Sequence, residues 1–403
     1  MLLSASLIVN GTLPAWQSVH SDFANYYVSS RLVLEGGSVD RLYDNEWFQG
    51  QIRAHNIDTP GKFSPFPPLT AWVMLPIAYT DALTAMRIWL FVNLVLLVFC
   101  TWLICLLTPW HWSNAASILL ASGNGLVNNF KYGQVYLLIT TGLFLVLYLA
   151  WKKNHWTAGV LLGLLSWLKY LPIAIIAGFI ATRNYKTVLV TGLSLVGLFM
   201  LQTWIFGFSL MTDFFRSVFL PHLDGELSGQ EMYSFLFQSW DNFFRHLFVY
   251  AAEYNPSPFM DWPSGRMLAK VLVYLVVAMF LYLSMRKVFR GELVDHTKIS
   301  LLLALPFLAA FVVLPASASY HFVVLVFPIV LLISNDFFSE KEKIGIVLVF
   351  SLIGFIPYGL FFNISEKAGL IFAYPRLWLI SILYFGCVWL ILRKSFPLVT
   401  HPQ

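Results

Sequence analysis

The side chains most able to do chemistry begin at Asp22, in the stretch "HSDFANYYVSSRLVLEGGSVDRLYD" (20–44), which sets a carboxylate among Phe23, Tyr26, Tyr27 and Tyr43. A carboxylate so placed can serve as a general base, a metal ligand or a helix N-cap, because "SD" at the head of a helical pattern is also a capping signature. Lys169 lies in "LKYLP" (168–172), where Pro172 breaks the helical pattern, and a compact ammonium at such a break suits a phosphate. Lys131, between Phe130 and Tyr132, is a second candidate phosphate contact, with snorkelling to the membrane interface as the alternative. His321 follows "PASASY" at the start of an apolar run and reads either as an interface residue or as a catalyst. Tyr26, Tyr27, Asn129, Gln134 and Asn242 are candidates to line a substrate cavity, the alternative for the amides being hydrogen bonds between helices. His20, Asp22 and His321 lack metal-site spacing and no metal is expected. The sequence also contains no glycine-rich phosphate loop, nucleophile elbow or Cys/His zinc pattern.

These residues sit in a chain built for a bilayer. Of 403 residues, 59% are hydrophobic and 11% charged, with a mean hydropathy of +0.73. Soluble domains run near 25% charged. The apolar runs are continuous rather than alternating, which excludes a β-barrel and predicts an all-α polytopic membrane protein. Candidate spans fall near 84–108, 113–128, 135–151, 156–168, 172–182, 187–208, 266–287, 298–315, 321–334, 344–362 and 375–393. The opening "MLLSASLIV" is too short to cross, so the first span is expected to be truncated or the start to be late. The stretch 62–80 is expected to be a helix dipping into one leaflet, and 41–56 an interfacial helix. Cys100, Cys105 and Cys387 all lie in apolar runs and suggest neither disulfides nor a metal cluster.

Topology gathers the polar residues. Lys152–Lys153, Arg183 with Lys186, Arg286–Lys287 with Arg290, Lys341 with Lys343, and Arg393–Lys394 occupy short loops and are expected on the cytoplasmic side. They share one side only if 156–182 is a hairpin broken at "LKYLP", two half-helices being tolerated where they line a cavity. That arrangement puts the long loops 14–83 and 209–265 outside, together with Asp22, "NNFKYGQ" (128–134), Lys169, "PHLDGE" (221–226), "QSWDNFF" (238–244) and "SASYH" (317–321). The excess of basic over acidic residues, 25 to 20, reads as topology and not as nucleic-acid binding. No repeat stands out, and residues 1–403 read as one domain.

With these stretches laid out, the chain resembles the GT-C membrane glycosyltransferases and, more narrowly, glycosyltransferase family 87, the polyprenol-phosphate-mannose-dependent α-mannosyltransferases. The resemblance runs in family order through 21–44, "FSPFPPLTAWVMLPIA" (63–78), 133–173, "QSWDNFFRHL" (238–247) and "LPASASYHFVVLVFPIVLL" (314–332). It implies a bundle of about 11–12 transmembrane helices and a hexose, mannose first, carried on a polyprenyl phosphate. Transfer would go with inversion to a lipid- or glycan-borne acceptor at the outer, periplasmic face of the inner or plasma membrane, without a separate cofactor. Asp22 matches the family's base, His321 its late histidine, Lys169 its "GLxxxLKxxP" lysine, and Gly133–Gln134 its "GQ" pair. Two departures stand out: the family normally has a complete transmembrane helix before the aspartate, and often Asn where this chain has Tyr136. A transporter or flippase of lipid-linked sugars is the competing reading. It predicts internal repeats and interrupted helices in matching halves, and the sequence has a single interrupted region.

Overall fold

The computed structural model describes residues 2–37, 39–226, 232–357, 359 and 367–395, and the described residues are helical with no strand beyond an isolated bridge between Ala251 and Asn255. The polytopic all-α expectation holds. Five segments are long and apolar enough to cross a membrane. They are α5 (Ala82–Leu107), the segment from α11 (Tyr185–Asp213), kinked at Gly207 (φ +85°), through a π-helical turn to α12 (Leu220–Leu223), α14 (Pro263–Arg290), α15 (Asp295–Val312) and α18 (Pro375–Arg393). A sixth arises if α7 (Asn124–Lys131) and α8 (Tyr136–Trp151), bent by 114°, count as one span. The other candidate spans are short or broken helices: α6 (Trp112–Leu120), α9 (His155–Leu168), α10 (Ile175–Ala181), the segment Ser319–Ile333, and α17 (Glu340–Phe355), whose expected extension to 362 runs outside the described residues.

The chain divides into two compact units, Met1–Ile173 with Lys186–Gln230, and Ala174–Tyr185 with Glu231–Gln403. In the first, α1 (Leu2–Ser6), a π-helical turn and α2 (Leu13–Gln17) lead to α3 (Ser21–Leu34), then to α4 (Asn45–Ala54). α3 is buried continuously from Phe23 to Ser30, so its aromatic rings pack inside the unit and do not face the interface. α4 is the amphipathic element: Phe48 and Ile52, one turn apart, are fully buried, and the Asp44 carboxylate caps the Trp47 N–H at 3.1 Å.

One expectation is corrected. Residues 62–80 do not form a dipping α-helix; they make a 3₁₀ turn at Pro68–Trp72 followed by consecutive tight turns. Pro65, Pro67, Pro68 and Pro76 remove the backbone donors that a helix through this stretch needs.

The membrane part of the first unit is organised by α5, α8 and α9. Gly142 and Gly159 sit where added carbons would fall 2.7 Å from Leu165 and Val190, so α8 approaches α9, and α9 approaches α11, closely at glycine. The second unit packs α10, α14, α16 (Val326–Ile333) and α18 around α15, which is buried along most of its length, and α17 lies against α16 and α18. There α13 (Trp240–Phe248) packs Phe243 and Phe244 against Tyr374 and Leu377.

Candidate active site around Asp22

Asp22 sits in the first turn of α3, after an extended His20 (φ −103°, ψ 159°). A carboxylate is favoured there by the helix dipole. It does not cap the helix. Oδ2 accepts from the Gln134 Nε2–H at 2.8 Å, and the Gln134 Oε1 accepts from the Tyr26 hydroxyl at 2.8 Å. Asp22 and Tyr26 are four residues apart and share a helix face, so one glutamine reads both. The half-buried carboxyl is pushed above the usual carboxylate range by burial, against the pull of the Gln134 hydrogen bond and the Lys169 charge.

Gln134 is placed by the sharp turn between α7 and α8. Gly133 makes the turn at φ +63°, and a Cβ on it would lie 2.8 Å from Phe23, so α3 and the turn meet at a position only glycine suits. Asn129 fixes the turn from below. Its Oδ1 accepts from the Tyr136 and Leu137 N–H groups at 3.0 and 3.2 Å, its Nδ2 donates to the Asn93 Oδ1 at 3.0 Å, and its carbonyl accepts from the Gln134 N–H at 2.9 Å. Asn129 is fully buried, so its place is under the turn, holding Gln134, and not on a cavity wall.

Lys169 arrives by the same hairpin. α8 runs away from Gln134, turns at Lys152–Lys153, and α9 returns, so Gln134 and Lys169 lie at one end and the lysine pair at the other. That separation is about 24 Å for the sixteen residues of α8. The helix ends at Lys169, whose backbone is extended (φ −151°, ψ 138°), as expected before the Pro172 break. Its ammonium rests on ring faces, 4.0 Å from the centroid of Phe66, 5.2 Å from Tyr136 and 5.9 Å from Tyr26. Phe66 stacks on Tyr26 at 4.7 Å. Lys169 makes no hydrogen bond or ion pair with any described residue. In the break beyond α9, burial lowers its pKa to about 7, and the Asp22 charge only partly offsets that.

The remaining candidates have local partners of their own. Tyr27 turns its hydroxyl to the Thr80 carbonyl at 2.7 Å. Lys131 is half-buried with its ammonium 5.4 Å from the centroid of the Tyr132 ring. His321 and Asn242 belong to the second unit. The His321 Nδ1 accepts from the Ala318 N–H at 2.7 Å, and the buried Asn242 accepts from the Tyr374 hydroxyl at 2.6 Å and donates to the Ser234 carbonyl at 2.9 Å. Among the described residues no group of three or more His, Cys, Asp or Glu is placed to hold a metal ion.

Three features escaped the sequence reading. Phe66 is the ring closest to Lys169, and only its place in "FSPFPP" marked it. His222, in the polar "PHLDGE" stretch, has a buried Nδ1 with no hydrogen-bond partner and a ring 6.2 Å from that of Tyr170. In the second unit the buried Asp241 carboxylate gathers Arg266 at 2.9 Å, Lys270 at 3.3 Å and Arg245 at 3.4 Å.

The family model of glycosyltransferase family 87 matches residues 65–315. No curated protein and no solved structure matches the chain. The matched segment includes Phe66, Gln134 and Lys169, while Asp22 precedes it and His321 follows it. With more than half of its length matched and a polytopic helical fold around it, the chain belongs to glycosyltransferase family 87.

Proposed function

We propose that this membrane glycosyltransferase moves a hexose, mannose in the first instance, from a polyprenyl-phosphate donor to a hydroxyl of a lipid- or glycan-borne acceptor, with inversion, at the outer face of the membrane. The observation that carries the reading is the half-buried Asp22, held through one oxygen by Gln134, within electrostatic reach of a Lys169 ammonium that rests on the faces of Phe66, Tyr136 and Tyr26. Asp22 takes the acceptor proton as the acceptor oxygen bonds to the anomeric carbon. The bond from that carbon to the phosphate oxygen breaks, and the polyprenyl phosphate departs with one more negative charge than it carried as a diester. Lys169 offsets that charge where it develops. A carboxyl raised by burial is a stronger base than an ordinary aspartate, which suits it to the task. The position of Lys152–Lys153 at the opposite end of the α8–α9 hairpin supports an outer-face site under the positive-inside rule.

The test is transfer of radiolabelled mannose from polyprenyl-phosphate-mannose in membranes containing wild type or Asp22→Asn. Product from wild type, with a loss of roughly a thousandfold or more in a variant that still folds, is the expected result. Product surviving in the Asn variant removes Asp22 from catalysis. No product from wild type with any polyprenyl-phosphate sugar removes the donor.

A further inference from the structure

Beside α3 the first unit contains an open cavity of about 810 Å³, within the size range of pockets that hold small organic ligands. Its walls come from the α2–α3 junction, from Tyr27 and Arg31 on α3, from the chain leaving α4, and from Tyr79–Leu83 ahead of α5. At 100° per residue, Tyr27 and Arg31 lie round the helix from Asp22 and Tyr26, so this cavity is distinct from the space between Asp22 and Lys169. His20 is where the two approach. It lines the cavity, and its ring packs edge-on against Tyr132 at 5.7 Å, beside the Gly133–Gln134 turn.

The lining indicates what the cavity would take. Apart from Asp58, its charged groups are already engaged: Arg31 pairs with Glu35 and donates to the Ala78 carbonyl, His55 meets Gln51 and Glu35, and Asp81 caps Thr84. An anion would therefore find no free cation. Left over are hydrogen-bonding groups of both kinds. Among the described residues, the Thr59 hydroxyl and His20 Nε2 are buried with no hydrogen-bond partner, and the Asn56 side-chain amide and the exposed Asp58 carboxylate make no hydrogen bond. Tyr79 adds a ring that is 72% exposed. Two buried orphan atoms, a planar amide, a carboxylate and an open aromatic face match a neutral, hydroxyl-rich ligand with an apolar ring face. Burial and the Lys131 charge hold the His20 pKa below its ordinary value, which favours the neutral imidazole, the form suited to a hydroxyl.

We propose that this cavity is a carbohydrate subsite that holds non-reacting sugar units of the acceptor, with Tyr79 as the stacking face and His20, Asn56, Asp58 and Thr59 as hydroxyl partners. The proposal rests on the glycosyl-transfer reading above, and it makes the acceptor a glycan rather than a bare lipid alcohol. Binding energy gathered there, away from the reacting hydroxyl, orients that hydroxyl towards Asp22.

The experiment is saturation-transfer NMR on the full chain in detergent, with mannotriose as the probe and triethylene glycol as the non-carbohydrate control. Mannotriose is expected to bind and the control not. Tyr79→Ala and Asp58→Asn are each expected to weaken mannotriose binding about fivefold or more, and Tyr79→Trp to retain it. In the transfer assay the same two weakening substitutions raise KM for a glycan acceptor more than they lower kcat. Binding that ignores these substitutions, or wild-type transfer without any mannotriose binding, overturns the subsite alone. Tyr79-dependent binding in a protein that transfers no polyprenyl-phosphate sugar overturns the functional reading and leaves the subsite standing.

Discussion

Gln134→Met is the substitution that tests the Asp22 arrangement most directly. It preserves bulk and removes two hydrogen bonds of 2.8 Å, one donated to the Asp22 carboxylate and one accepted from Tyr26. A hydrogen bond to an ionised group contributes about 1.5–3 kcal/mol, so kcat/KM is expected to fall roughly 10- to 100-fold. The buried Tyr26 hydroxyl loses its acceptor, which costs about 1–3 kcal/mol of stability. The sign on pH follows from what holds the carboxyl. Burial raises its pKa and Gln134 opposes this, so deleting Gln134 raises it further. Asp22 works deprotonated, and activity is lost as pH falls through its pKa. The acid limb of kcat/KM therefore moves to higher pH in the variant. The assay is mannosyl transfer in proteoliposomes across pH, with thermal unfolding measured in parallel. A folded variant with the wild-type acid limb would refute the reasoning, whatever its absolute rate.

Lys169 sets the other limb. Its pKa is lowered to about 7 by burial, and an ammonium is needed for phosphate, so kcat/KM is expected to decline as pH rises through about 7. The limb should vanish in Lys169→Arg, whose guanidinium stays charged. A pH–rate profile of both proteins checks this. Gly133→Ala combines a left-handed backbone with a Cβ 2.8 Å from Phe23, and about 2–4 kcal/mol of destabilisation is expected, seen as a lower unfolding temperature.

Much of this arrangement was legible in the chain and some was not, for identifiable reasons. Apolar runs reveal helices, and the Pro172 break located the end of α9 and with it Lys169. Asp22, Tyr26 and Gln134 were all singled out, but nothing in sequence spacing ties residue 134 to residue 22. That tie depends on a left-handed glycine and an amide beneath it. The same limit hid Phe66, which reaches Lys169 from a turn, and His222, which α12 brings to Tyr170 from some fifty residues further along the chain. Span counting exceeded the long helices because hydropathy registers apolar composition and not the breaks at Ala121–Gly123 and Tyr132–Val135. The aromatic residues of α3 could by type alone have faced either headgroups or a core, because rings favour both, and burial distinguishes the two.

The order of donors around Gln134 has a stereochemical consequence. An ionised carboxylate can only accept, so the amide must present its NH₂ to Asp22 and its oxygen to Tyr26, and the tyrosine proton is committed to that oxygen. The amide has no second orientation while Asp22 is charged. Of the two carboxylate oxygens, Oδ2 is therefore already hydrogen-bonded and Oδ1 has no protein donor among the described residues. A proton arriving at this aspartate meets two inequivalent oxygens. Both lone pairs of Oδ1 are open while Oδ2 keeps only one, so a hydroxyl that comes from the Oδ1 side meets the freer oxygen of the base.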